Sequence, residues 1–325
     1  MISLNPWFQD YLQYFHNESM VHAHLISGKK GIGKYNFTKL LAQSILCTTS
    51  DDLFNPCGKC TSCKTFNSKS NPDFHVVRPE TEGGIIKIGQ LRGDAKKDGD
   101  EKGIIKMAFE TPLLCKSKVI VIDEADAMNT ESQNLILKTL EEPSKDTFIF
   151  LISSKPYSLK STLISRLSHT LIANPSKKYI DQWIISNNLN INENDKKILK
   201  YMDLNTLSDD AFKNEQLKIN NFSEDLKQSI SVKKIEKIAN NWDDDYLLKR
   251  LGWFGEIILN AIYMKLEVNE EIPNFFSSNI NYLSKNKTLV ELFEYSNFIN
   301  HYINDLSNGI NLNNKIQIKA LLSDY

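Results

Sequence analysis

One short stretch constrains the fold more than any other. Gly28-Lys29-Lys30-Gly31-Ile32-Gly33-Lys34-Tyr35 has the Gly-x-x-x-x-Gly-Lys spacing of a phosphate-binding loop. Such a loop joins a buried strand to a helix, because its backbone N–H groups gather around an anion at the helix N-terminus. The flanks agree. Residues 23–27 form an apolar run. Residues 34–47 read as a helix with Phe37, Leu40, Leu41, Ser44 and Ile45 on or near one face. The motif normally ends in Ser or Thr, whose hydroxyl ligates Mg²⁺. Tyr35 stands there instead, and a long, rigid phenol cannot put its oxygen where a Ser Oγ would sit. Gly28, Gly31, Gly33 and Lys34 therefore remain a cradle for the phosphates of ATP or ADP, without the metal-ligating hydroxyl.

Further strands are expected at Phe74–Val77, Lys118–Ile122, 148–152 and 169–172. The β-branched run Val119-Ile120-Val121-Ile122 has the continuous apolar character of a parallel strand buried on both faces. Thr130-Glu131-Ser132-Gln133 fits a capping box opening a helix that carries Leu137 and Leu140 and ends at Pro143. Strands alternating with helices predict a doubly wound, parallel five-stranded α/β sheet. Asn5 and Pro6 suit a helix start. Residues 93–103 read as a solvated loop. Beyond Pro175 the strand signals stop. Amphipathic helices are expected at 243–267 and 289–306, the second followed by Gly309. A chain of 325 residues accommodates two or three domains.

The strand at Lys118–Ile122 runs into Asp123-Glu124-Ala125-Asp126. A buried strand ending in Asp-Glu is the companion of a phosphate-binding loop. Asp123 would hold Mg²⁺, and Glu124 would orient or deprotonate the attacking water if hydrolysis is retained.

Cys57-Gly58-Lys59-Cys60-Thr61-Ser62-Cys63 places three thiols on two successive C-x-x-C turns, and Cys47 can supply a fourth. Four thiolates with no open position predict a structural tetrahedral Zn²⁺ site. Cys115 stands apart and is expected to be a buried hydrophobe.

Ser165-Arg166 precedes the last strand. An Arg at this point of an ATPase sheet can lie at a subunit edge and reach a neighbour's γ-phosphate. The net charge is −1, so no global field recruits nucleic acid or membrane. No apolar run approaches a membrane span, and residues 1–10 carry no secretory pattern, so a cytoplasmic protein is expected.

Taken together, these residues resemble the AAA+ clamp-loader family of bacterial DNA polymerase III. The matching segments are Pro6-Trp7, His22-Ala23-His24-Leu25-Ile26, the four-cysteine module after the first helix, and Asn71-Pro72-Asp73. To them belong Ile86-Lys87-Ile88-Gly89-Gln90-Leu91-Arg92, Asp123-Glu124-Ala125-Asp126 and Leu137-Lys138-Thr139-Leu140-Glu141-Glu142-Pro143. The resemblance implies an AAA+ ATPase-like domain over 1–173 with a zinc module at about 47–63. A small helical lid over 174–206 and an all-α collar over 207–325 would follow. It implies work in a hetero-oligomer with motor (gamma/tau) and delta subunits, a sliding clamp and primer-template DNA. Family members divide into ATP-hydrolysing motors and a stator that lends an Arg from a Ser-Arg-Cys motif. Here that motif reads Ser165-Arg166-Leu167, which retains the Arg. Motors tend to carry a lid Arg, and none occurs between Asn174 and Leu207. Tyr35 and the missing lid Arg imply a stator without self-contained hydrolysis. The rival expectation is a gamma/tau-like motor, which the retained Lys34, Asp123 and Glu124 would serve.

Overall fold

The computed structural model describes the chain except residues 1–3, 16–19, 51, 82, 94–102, 142–143, 190, 193–195, 197–198, 200–201, 203, 205–208, 245, 269–275, 308–309 and 311. The expectations placed on Pro143, on Gly309, on most of 93–103 and on much of the lid lie outside the described residues. The chain divides into two compact units, residues 1–188 with 203–205, and residues 189–202 with 206–325.

The first unit is built on β1 (Ala23–Gly28), β2 (Phe74–Val77), β3 (Lys118–Ile122), β4 (Thr147–Ser153) and β5 (Ser168–Ile172). All pairings are parallel, in the order β2-β3-β4-β1-β5. The helices are α1 (Lys34–Ile45), α2 (Thr61–Asn67), α3 (Ile88–Arg92), α4 (Ile104–Ala108), α5 (Thr130–Glu141), α6 (Ser161–Ile164) and α7 (Lys177–Ser186). Strands β1 and β3 are buried along their whole length, as expected of a sheet covered on both faces. The period of two divides the core. Leu25, Ile120, Ile122, Ile149 and Leu151 pack with Ile136, Leu140 and Leu163.

Several local features differ from expectation. The α5 cap is Asn129, whose Oδ1 accepts the Ser132 N–H at 2.8 Å, so the start lies one residue before the Thr130 box. Gln133 turns away and donates to the Met128 carbonyl. Asn5 precedes the 3₁₀ segment Pro6–Tyr14 but makes no side-chain cap. Cys115 is half-buried, and its thiol donates to Ser62 Oγ at 3.1 Å. A polar neighbour within reach made it a hydrogen-bonding group instead of a core hydrophobe.

Asp73 explains the Asn-Pro-Asp segment. Its fully buried carboxylate accepts the N–H groups of Leu113, Leu114 and Cys115, each at 2.7 Å. Burial alone would raise its pKa, but these three donations hold the carboxyl below its usual range.

His24 lies in the middle of β1, stacked on Phe150 at 5.3 Å and against Phe15 at 5.4 Å. Among the described residues its ring nitrogens make no close hydrogen bond, and the Val21 backbone opposes part of the effect of burial. Burial pulls its pKa down to about 4. The native state therefore binds fewer protons than the unfolded chain between these values. Stability is complete above about pH 6.5 and falls progressively towards pH 4, by up to about 3 kcal/mol. His24→Phe is expected to remove this acid-side slope in urea unfolding curves. An unchanged slope would show that other groups carry it.

The second unit is helical: α8 (Asp209–Ser229), α9 (Val232–Trp242), α10 (Leu247–Lys265), α11 (Ser277–Asn286), α12 (Leu289–Ser307) and α13 (Asn314–Ser323). Helix α10 starts later than expected because Asp244 forms a turn, its carboxylate accepting the Tyr246 N–H at 2.8 Å. Phe222, Trp242, Trp253, Phe254 and Phe276 form an aromatic core. Asn279 is fully buried there and donates to the Ser223 carbonyl and to Tyr325 Oη. Among the described residues no helix is long and apolar enough to cross a membrane.

Candidate functional site

The phosphate loop forms where β1 meets α1, as the flanking sequence requires. Gly28, Gly31 and Gly33 all have positive φ. At Gly28 a Cβ would come within 2.6 Å of the Ile172 carbonyl oxygen, so the neighbouring strand end admits no side chain. Three outside donors hold the loop's carbonyls. Trp7 Nε1 donates to Ile32 O at 2.9 Å, Asn5 Nδ2 reaches the same oxygen at 3.5 Å, and the Leu204 N–H donates to Gly31 O at 2.9 Å. Trp7 is buried, and its ring meets that of Trp183 on α7. The sequence carried no local sign that these residues brace the loop.

Lys34 is 6% exposed. Its ammonium donates to the carbonyls of Gly28 and Lys29, both at 2.7 Å, and to Ser154 Oγ at 3.0 Å. Burial lowers its pKa to about 8, while Asp126, Asp123 and Glu124 resist the fall.

Asp123 follows β3, so β3 brings it beside the loop. Burial raises its carboxyl pKa, opposed first by Arg78. Glu124 takes a left-handed backbone and forms an exposed ion pair with Lys30 at 3.7 Å. Asp126 accepts the Ser154 N–H at 2.8 Å, tying the end of β4 to this corner. The loop glycines, Lys34, Asp123 and Glu124 thus share one edge of the sheet. Tyr35 occupies the first turn of α1 with Arg78 4.8 Å from its ring centre. Arg78 was not among the site residues expected from sequence.

Arg166 is elsewhere. It lies two residues before β5, whereas the loop follows the last residue of β1, and the two strands are parallel. Five strand residues at about 3.3 Å each put roughly 16 Å of sheet between these edges. Its guanidinium pairs with Glu141 and donates to the Thr162 carbonyl. It cannot serve the loop of its own chain.

The sulfur atoms of Cys47, Cys57, Cys60 and Cys63 all lie within 4.8 Å of one another. The thiol sulfurs accept backbone N–H groups: Lys59 and Cys60 donate to Cys57 Sγ at 3.4 and 3.3 Å, and Cys63 to Cys60 Sγ at 3.3 Å. Such donations favour thiolates. Hydrogen bonds hold the Cys57 thiol down to about 5, whereas burial raises that of Cys63. A tetrahedral zinc with bonds of about 2.3 Å needs sulfurs roughly 3.8 Å apart. Cys57 and Cys63 stand at 3.9 Å. The cluster fits a metal ion held by four thiolates.

Residues 5–176 match the family model described as "DNA polymerase III, delta subunit". The chain belongs to this family. Among curated members of the DNA polymerase III subunits, the delta' subunit of Bacillus subtilis is 36% identical over 149 residues, covering 46% of this chain and 41% of that protein. The delta' subunit of Buchnera aphidicola from Baizongia pistaciae is 25% identical over 329 residues, covering 96% and 94%. A gamma/tau subunit of Mycobacterium bovis is 29% identical over 150 residues, 46% of this chain and 24% of its own length. The matched part of the Bacillus relative is thus less than half of that protein. For this member of the DNA polymerase III delta family, the shared region is the unit that carries the loop, the cysteine cluster and Arg166.

Proposed function

We propose that this chain is the delta-prime stator of a cytoplasmic clamp loader. It would sit beside motor and delta subunits and help place a ring-shaped sliding clamp on primed DNA. The observation that carries this reading is Tyr35. A ring covered by Arg78 stands where a motor needs a metal-ligating hydroxyl. Its chemical contribution would be Arg166, which lies on the sheet edge remote from its own loop and is suited to a neighbour's ATP. The cysteine cluster would hold one structural Zn²⁺, buttressing the ATPase-like domain. The division into ATPase-like domain over 1–173, lid over 174–206 and collar over 207–325 belongs to the same proposal.

The second reading is a gamma/tau-like motor. It is favoured by the retained Lys34, Asp123 and Glu124 and by the similarity to a gamma/tau subunit. ATP turnover of a loader reconstituted with Lys34→Ala separates the two. The stator reading expects turnover within about twofold of the unaltered assembly, because the chain's own loop does no chemistry. A collapse of turnover would make the chain a motor.

A further inference from the structure

Arg78 belongs to none of the motifs, yet its position follows from the sheet. Val77 pairs with Ile122 in the β2–β3 ladder, and the Asp123 N–H donates to the Val77 carbonyl at 2.8 Å. Arg78 and Asp123 are the residues that follow these two strand ends, so they leave the sheet side by side. The Arg78 guanidinium lies 4.8 Å from the ring centre of Tyr35, the residue after Lys34 on α1. Three elements thus converge where a Mg–nucleotide site would gather a hydroxyl, a metal ion and a carboxylate. A ring replaces the hydroxyl, a guanidinium lies on the ring, and the carboxylate remains.

A divalent ion entering this corner would meet a positive charge already in place, and like charges repel. Arginine is suited to such a substitution. Its planar fork stacks on an aromatic ring and still offers donors to phosphate oxygens. Arg78 is exposed, so a ligand in solution can reach it.

We propose that Arg78 takes the place of the divalent ion, so that this loop accepts the phosphate tail of a nucleotide without metal. The proposal rests on reading Gly28 to Tyr35 as a phosphate cradle. It does not require hydrolysis, and it gives the retained Lys34 and Asp123 a use in a subunit that turns over no ATP.

The test is titration of the full chain with a fluorescent ADP analogue, once in EDTA and once in excess Mg²⁺. Equal affinity in the two buffers is expected. Arg78→Ala should weaken binding in EDTA about tenfold, with Mg²⁺ restoring part of the loss by entering beside the released Asp123. Lys34→Ala should weaken binding in both buffers. If it does not, the nucleotide sits elsewhere and the cradle reading fails. Tighter binding of the unaltered chain in Mg²⁺, no binding in either buffer, or an unchanged Arg78→Ala titration in EDTA would overturn the role of Arg78. If the alanine variant does not fold, the two-buffer comparison on the unaltered chain decides alone. The stator reading survives each of these outcomes, since it needs no nucleotide on this chain.

Discussion

If the proposed stator role holds, Arg166→Ala is expected to lower ATP turnover at a neighbouring subunit's site by roughly 10³-fold, while the loader still assembles. An arginine supplied in trans stabilises charge that develops on the phosphoryl oxygens only in the transition state, so its loss falls on the rate more than on binding. Arg166→Lys should recover little, because an ammonium lacks the planar fork. In the isolated chain the guanidinium is occupied by Glu141 and the Thr162 carbonyl. That pair is partly exposed, and an exposed ion pair contributes little stability, so releasing Arg166 to a partner is cheap. Glu141→Gln should accordingly change turnover by less than about threefold. Steady-state ATP hydrolysis by the reconstituted loader, with assembly followed by gel filtration, checks both variants. Normal turnover by the Arg166→Ala assembly would remove this residue from the mechanism.

The second large effect concerns the cysteine cluster. Purified protein should contain about one zinc ion per chain, and chelation should lower the melting temperature of the first unit by roughly 10 °C or more. The reason is local. Cys63 and Phe66 on α2 are buried, Phe66 packs on Phe74 of β2 at 4.4 Å, and Phe54 stacks on Phe37 of α1 at 5.1 Å. Without the ion, nothing ties the four sulfurs together, and the segment between α1 and β2 is left to these ring contacts and to hydrogen bonds such as Gln43 Nε2 to Asn67 Oδ1. Cys60→Ser should reproduce most of the loss. A metal-free protein with an unchanged melting curve would rule out the zinc assignment.

Local spacing accounts for what is legible in the sequence. The glycines and Lys34 work through the backbone they sit on, so their order along the chain is their geometry. Cys57, Cys60 and Cys63 are likewise brought together by two short turns, and Cys47 by the end of α1. The β-branched run at Val119 to Ile122 can satisfy both its faces only inside a covered parallel sheet. Asp123 is carried to the loop by the strand it terminates. The same logic misplaced the α5 cap by one residue, because Asn129 and Thr130 are both capable caps and only the path of the preceding turn chooses between them.

The sequence by itself determined the sheet, the phosphate loop, the cysteine site and the absence of a metal-ligating hydroxyl at position 35. The tertiary structure alone decided who stands beside whom. It set Arg78 against Tyr35, used the Asp73 carboxylate to pin the segment at Leu113 to Cys115, braced the loop with Trp7, and paired Arg166 with Glu141. Each of these joins residues distant along the chain. Hydrogen bonds and ring contacts act over a few ångströms, so they exist only once strand order and register have brought those residues together.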